Sequence, residues 1–179
     1  MFAELPKGLH KSRPTDHPIV VEETQATPAH RLYRMPEADQ EEIKRLVEEL
    51  VAAWRIRPLT SPFGASAMLL YKKDKSRRMV IDYRALYKLT RKDKYSLPRI
   101  DEMLDKLATG RYFTKMDLSS GFHQISIRKG DEPKTAFQTR YGSFEWTDMP
   151  FVLTNAPETF QRTMAMPFFR HDRLYRHLC

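Results

Sequence analysis

The chain has 179 residues, a mass of 21.2 kDa and a net charge of +8, which suits one domain or two small subdomains sharing a core. Its single cysteine, Cys179, rules out an intrachain disulfide and agrees with a reducing compartment. No apolar run approaches the roughly 20 residues of a membrane span, and the opening residues lack the apolar stretch of a secretory signal.

Residues 1–35 read as an irregular lead-in punctuated by Pro6, Pro14, Pro18 and Pro28, with Ile19-Val20-Val21 as one candidate strand. Pro36 then occupies a favoured first helical position, followed by Glu37 and Asp39 at the positive end of a helix dipole. Ile43, Leu46, Val47, Leu50, Val51 and Trp54 fall at helical spacing, predicting an amphipathic helix from about Glu37 to Trp54. Its other face is acidic (Glu41, Glu42, Glu48, Glu49), so it is expected to point away from any nucleic acid. Ser66–Tyr71 and Met79–Tyr83 read as strands around a polar turn, Lys73 to Ser76. Leu97-Pro98 opens a second helix with Ile100, Met103, Leu104 and Leu107 on one face and Gly110 as its C-cap. Tyr112–Met116, His123–Ile127, Thr135–Thr139 and Ser143–Thr147 read as further strands. Thr154 or Asn155 is placed to cap a last helix bearing Phe160 and Met164, and the pattern decays from Pro167 onward. Helices and short strands alternate without βαβ regularity, so the expected class is α+β.

The six glycines form no G-x-G-x-x-G, Walker loop or G-x-S-x-G, and the chain holds no C-x-x-C or H-E-x-x-H. Rossmann, P-loop, elbow-type serine hydrolase and zinc-ribbon signatures are therefore absent. His171, His177 and Cys179 match no standard zinc spacing and read as part of a frayed tail.

The charge is local. Eleven basic residues lie between Tyr71 and Arg99 against three acids, so this segment carries the whole net charge of the chain. Tyr71, Tyr83, Tyr87 and Tyr95 are interleaved with them. Cations neutralise phosphates and aromatic faces stack on bases, so the segment suits a polyphosphate or nucleic acid. Composition leaves open the alternative of a solvated basic surface. The most pointed stretch for chemistry is YFTKMDLSSGFHQISI, where Asp117 ends an alternating run just before a Ser-Ser-Gly turn. A carboxylate at a strand end is rigidly held yet reachable, which suits a hard divalent cation, but Asp is also a common turn cap.

Four segments, YKKDKSRRMVIDYRALYKLT, KYSLPRIDEMLDKLATGRYFTKMDLSSGFHQI, KTAFQTRYGSFEWTDMPFVLTNAPETFQ and the lead-in LPKGLHKSRPTDHPI, resemble in order the reverse transcriptase of gypsy-type long-terminal-repeat retrotransposons, from about residue 5 to residue 165. The resemblance implies an α+β fold comprising the fingers and partial palm of a right-hand polymerase, with no thumb, connection or RNase H domain. It divides the chain into a linker-like lead-in (1–35), a fingers-like region (36–110), a partial palm (111–165) and a divergent tail (166–179). It implies RNA-directed DNA polymerisation, the transfer of deoxynucleoside triphosphates to a primer 3′-hydroxyl with two Mg²⁺ (or Mn²⁺) ions. The implied partners are an RNA or DNA template-primer, dNTPs and the remainder of a retroelement polyprotein, with no membrane. The implied location is cytoplasmic, in a virus-like particle, with the nucleus as the alternative.

Residue by residue, Asp117 matches the first metal-binding aspartate of the palm and Leu118 offers its backbone carbonyl to the nucleotide-bound metal. Lys72, Lys73 and Arg78 match the fingers hairpin that contacts the triphosphate, and Phe122 the aromatic that excludes a ribose 2′-hydroxyl. Asp82, Arg84, Gln124, Pro157 and Gln161 match positions that support the template-primer or the nucleotide pocket. The chain also departs from the pattern. The family's aromatic-x-Asp-Asp hairpin is expected a couple of dozen residues after the helix of Asn155 to Met164, yet the chain contains no Asp-Asp dipeptide, and Asp148 and Asp172 stand outside that context. Val152 replaces a usual glycine, Arg77 a usual tryptophan and Tyr87 a usual asparagine. A Val where the backbone needs a positive φ would be costly. The chain therefore reads as truncated before its second catalytic motif and catalytically incomplete, and the rival reading is a non-catalytic nucleic-acid-binding remnant using the basic 71–99 segment.

Overall fold

The computed structural model describes residues 13–22, 32–71, 77–93, 101, 105, 108, 110–112 and 118–175, with side chains up to residue 166. The first helix, α1, spans Glu37–Ala52, with Glu37 and Asp39 in its first turn, where the dipole favours acids. Ile43 and Val47 are buried, and Leu46 and Leu50 are half-buried beside them. The apolar stripe ends sooner than its spacing predicts. The helix stops at Ala52, and Val51 and Trp54 are exposed.

Among the described residues, five strands form one sheet: β1 (Ile56–Pro58), β2 (Ala65–Tyr71), β3 (Arg77–Ile81), β4 (Phe137–Thr139) and β5 (Gly142–Trp146), in the order β1-β5-β4-β2-β3. The β2–β3 pair is an antiparallel ladder running from Ala67 opposite Ile81 to Tyr71 opposite Arg77. Its expected turn, Lys73 to Ser76, lies outside the described residues. β4 joins the two halves of the sheet, parallel to β2 and antiparallel to β5. The core lies where α1 and the later loops cover this sheet, with Phe137, Met149, Ile43, Ala67 and Tyr83 almost fully enclosed. Tyr83 donates its hydroxyl to the Thr135 carbonyl at 2.6 Å, which satisfies the one polar atom of a ring that burial alone would favour.

Several local expectations are corrected. His123–Ile127 is not a strand: Gly121–Gln124 forms a 3₁₀ turn, and only isolated bridges follow, Ile127 with His17 and Ser126 with Asp148. The left-handed Ser120 (φ 50°) and the close approach of Phe160 to Gly121 bend the chain here. Likewise, Glu132–Thr135 is a 3₁₀ turn with Pro133 near its start, so β4 begins later than predicted. A short helix, α2 (Arg84–Leu89), occupies a stretch assigned no element, and β3 ends before Tyr83. The last helix, α3, runs Ala156–Tyr175 and continues through Pro167. Asn155 does not cap it with its side chain. Its left-handed backbone (φ 67°) frees the amide to accept from Asp93 N–H and donate to the Arg91 carbonyl, each at 2.9 Å. Ile19–Val21 contributes only a bridge, Val21 with Thr90.

The predicted helix from Leu97 lies mostly outside the described residues, although Asp101, Asp105 and Ala108 are helical. Residues 113–117 of the candidate strand before Asp117 also lie outside them. The helices and the mostly antiparallel sheet confirm the α+β class. Among the described residues no helix is long and apolar enough to cross a membrane.

Candidate functional site

A groove of about 630 Å³ opens between α1, β3 and the loop at Pro150–Val152. Arg77 and Arg78 come from β3, Arg55 from the segment after α1, and Phe151 and His123 from the opposite wall. Two cations on one strand, set against a half-exposed aromatic ring, make a surface that accepts an anionic, planar ligand.

The two arginines differ. Arg77 is committed: its guanidinium donates to the Ala38 carbonyl at 3.0 Å, lies 3.7 Å from Asp39 and sits over the Tyr71 ring at 5.7 Å. The Tyr71 hydroxyl donates to the same carboxylate, which pushes the phenol above its usual pKa. This clasp ties the Tyr71–Arg77 end of the β2–β3 ladder to the first turn of α1. Asp39→Ala removes the acceptor that both exposed partners share, leaving them to water, and is expected to destabilise the fold by about 0.5–1.5 kcal/mol, measured by urea unfolding. A change under 0.5 kcal/mol would show that the clasp is decorative. Arg78, the position matched to triphosphate contact, is exposed and lines the groove.

The opposite wall is aromatic. Phe122 stacks on Phe160 at 4.7 Å with the planes 6° apart, and packs on Phe151 at 4.5 Å. Phe122 is not among the described groove residues. Phe151, half exposed, presents the ring there instead. His123 stacks on Trp146 at 5.8 Å and meets Phe151 edge-on at 5.6 Å. Its Nδ1 lies 3.2 Å from Asp148 Oδ2 without hydrogen-bond alignment, and Arg55 approaches the same carboxylate at 3.9 Å. Sequence spacing gives no hint of this His123–Trp146–Asp148–Phe151 cluster, because its members meet only across the fold. Asp148, one of the aspartates that follow Asp117 in the sequence, is buried within it.

The supporting positions separate by environment. Asp82 is buried and bidentate to Arg84, at 2.8 and 2.6 Å, and it also accepts from the Tyr33 hydroxyl at 3.0 Å. The Arg84 side chain holds this carboxyl far below the usual range, so the Arg84 charge is already answered. Gln124 donates to the Ser119 carbonyl at 2.8 Å and braces the turn. Pro157 is exposed in the first turn of α3, and Gln161 is half-buried on the same helix. Leu118 is 44% exposed. Val152 is not among the positive-φ residues, so the expected backbone penalty does not arise there. Tyr87 packs against the core, 6.5 Å from Tyr83. Lys72, Lys73 and Asp117 lie outside the described residues, so the structure brings Arg78, Phe151 and the flank of Phe122 together without showing their relation to Asp117. Among the described residues no group of three or more His, Cys, Asp or Glu side chains is placed to hold a metal ion.

The family model for "Reverse transcriptase (RNA-dependent DNA polymerase)" matches residues 70–174. The chain belongs to this family. It is 42% identical over 142 residues to the "Retrovirus-related Pol polyprotein from transposon 412" of Drosophila melanogaster, covering 76% of this chain and 12% of that polyprotein. It is 60% identical over 89 residues to the "RNA-directed DNA polymerase homolog" of Oenothera berteroana, covering 50% of this chain and 63% of that one. The chain therefore spans under two thirds of either relative. Its fold is shared with the foamy viral protease-reverse transcriptase solved in complex with RNA/DNA hybrid, at a TM-score of 0.68 and 24% identity over 88% of this chain and 21% of that one. The resemblance read from the motifs therefore holds for family and fold, and the five-stranded sheet with α1 and α3 is consistent with partial polymerase fingers and palm. Reverse transcriptases generally use divalent metal ions.

Proposed function

We propose that the chain is the fingers and part of the palm of an RNA-directed DNA polymerase, and that the groove between β3 and Phe151 receives nucleotide and template. The placement of exposed Arg78 opposite Phe151, within the span that the reverse transcriptase model matches, carries this reading. Arg78 would answer triphosphate charge, with Lys72 and Lys73 beside it in sequence. Phe122, buttressed by Phe160, would fix the Phe151 ring against the sugar and base. Asp82 with Arg84, Gln124, Pro157 and Gln161 would shape the surrounding walls and turns. The partners would be a template-primer and dNTPs, within a larger polyprotein.

For the metal, the same reading assigns Mg²⁺ or Mn²⁺ to Asp117 and the Leu118 carbonyl. A two-ion site needs further carboxylates, and the sequence holds no Asp-Asp dipeptide to provide them. The 179-residue chain is therefore expected to bind a primed RNA template with an affinity that falls steeply with salt, and to extend it undetectably. Primer extension with Mg²⁺ or Mn²⁺, run beside Asp117→Asn, tests this. Extension that disappears in the variant would overturn the incompleteness. Failure to bind at low salt would overturn the functional reading itself.

A further inference from the structure

Trp54 sits at an unusual place. After α1, Arg55 N–H donates to the Leu50 carbonyl at 3.0 Å and Trp54 N–H to the Val51 carbonyl at 2.9 Å. These two bonds are the paired closure of a helix that ends in a left-handed residue, a position that glycine usually fills because it has no Cβ. Here the residue is a tryptophan with φ 59°. Nor can the backbone easily swing out of this state. The Trp54 carbonyl accepts the Thr147 hydroxyl at 2.7 Å, and the Arg55 carbonyl accepts Thr147 N–H at 2.9 Å. Burial does not offset the strain, since Trp54 is 63% exposed. A strained residue that presents a large ring to solvent points to function.

Its surroundings indicate what the ring meets. Ala53 and Arg55, on either side of Trp54, both line the groove whose far walls carry Arg78 and Phe151. Glu49 lines it too, and Asp148 faces Arg55 from behind. Exposed Arg78 therefore supplies the cation best placed for a phosphate.

We propose that Trp54 is a stacking platform for an unpaired base of single-stranded nucleic acid whose phosphates are drawn toward Arg78 and Arg55. Aromatic platforms beside a cationic groove hold single strands without regard to sequence. This inference rests on the nucleic-acid reading above and adds to it a contact site on the far side of α1's end.

The test uses the whole chain and a single-stranded 12-mer RNA at low salt. Binding is read for every variant by the anisotropy of a dye-labelled 12-mer, and tryptophan fluorescence is followed in wild type, where the other tryptophan, Trp146, is buried but also lines the groove. Wild type is expected to quench. Trp54→Gly relieves the left-handed strain and is expected to unfold at a higher temperature while binding the 12-mer about tenfold more weakly. Trp54→Phe keeps a ring and is expected to bind close to wild type. Trp54→Asn, which tolerates the same backbone, repeats the loss should the glycine variant misfold. Undiminished binding by folded Trp54→Gly or Trp54→Asn, with wild type binding well, would overturn this inference alone. No binding by wild type would overturn it together with the nucleic-acid reading.

Discussion

Phe137→Ala is expected to lower the free energy of unfolding by about 3–5 kcal/mol. Phe137 is fully buried, its ring lying 5.9 Å from Phe144 and 6.1 Å from Trp146. It sits on β4, a strand of three residues that alone joins β2 to β5. Truncation removes the ring's burial, leaves a cavity that the neighbouring aromatic rings cannot readily fill, and loosens the one strand holding the two halves of the sheet together. Phe137→Leu, which keeps most of the volume, is expected to cost about 1.5 kcal/mol or less. Urea unfolding of both variants decides the matter, and a Phe137→Ala loss below 1 kcal/mol would mean that the sheet is not centred on β4.

The second large effect is a pH dependence at His17. The ring is completely buried, with Nδ1 2.9 Å from the Thr159 hydroxyl and, among the described residues, no partner for Nε2. Burial lowers its pKa from 6.5 to about 4, against the opposing pull of Asp131. The native state therefore holds His17 neutral, and the unfolded chain binds its proton first as pH falls. The stabilisation is full above about pH 6.5 and is lost progressively as pH drops toward 4. A shift of this size corresponds to about 3 kcal/mol. Urea midpoints at pH 7, 5.5 and 4.5 should fall steadily in wild type and much less in His17→Gln. Equal slopes in the two proteins would place the acid sensitivity elsewhere. The Asp82 carboxyl begins to lose its own contribution only below about pH 5, where the unfolded chain starts to protonate it, and does so equally in wild type and His17→Gln.

The long or strongly patterned elements were legible from sequence. Sixteen residues of helical spacing define α1, and alternating apolar runs locate β2, β3 and β5 to within two residues. Six residues were too few for α2 to show a period. The run Phe122 to Ile127 alternates like a strand, yet Ile125 and Ile127 are buried by packing and bridging rather than by a ladder. Trp54 continues the apolar spacing of α1 on paper, but hydrogen bonds to Val51 and Thr147 turn the chain there. The family and the role expected of Arg78 came through motif resemblance. Phe151 and the His123–Asp148 contact did not, because they depend on residues far apart in sequence meeting beneath one groove. Tertiary packing, not local preference, decided each of these cases.

The parallel pairing of Ser66 with Gln138 also bears on how the chain is made. On a ribosome adding roughly 5–20 residues per second, β2 is synthesised about 4–14 s before the strand that covers its inner edge. Throughout that interval the β2 edge at Ala65 and Ser66, the two residues that pair with Phe137 and Gln138, stands without its partner. The nascent chain passes through a period of vulnerability to wrong pairing, and it ends only when translation reaches Phe137 to Thr139.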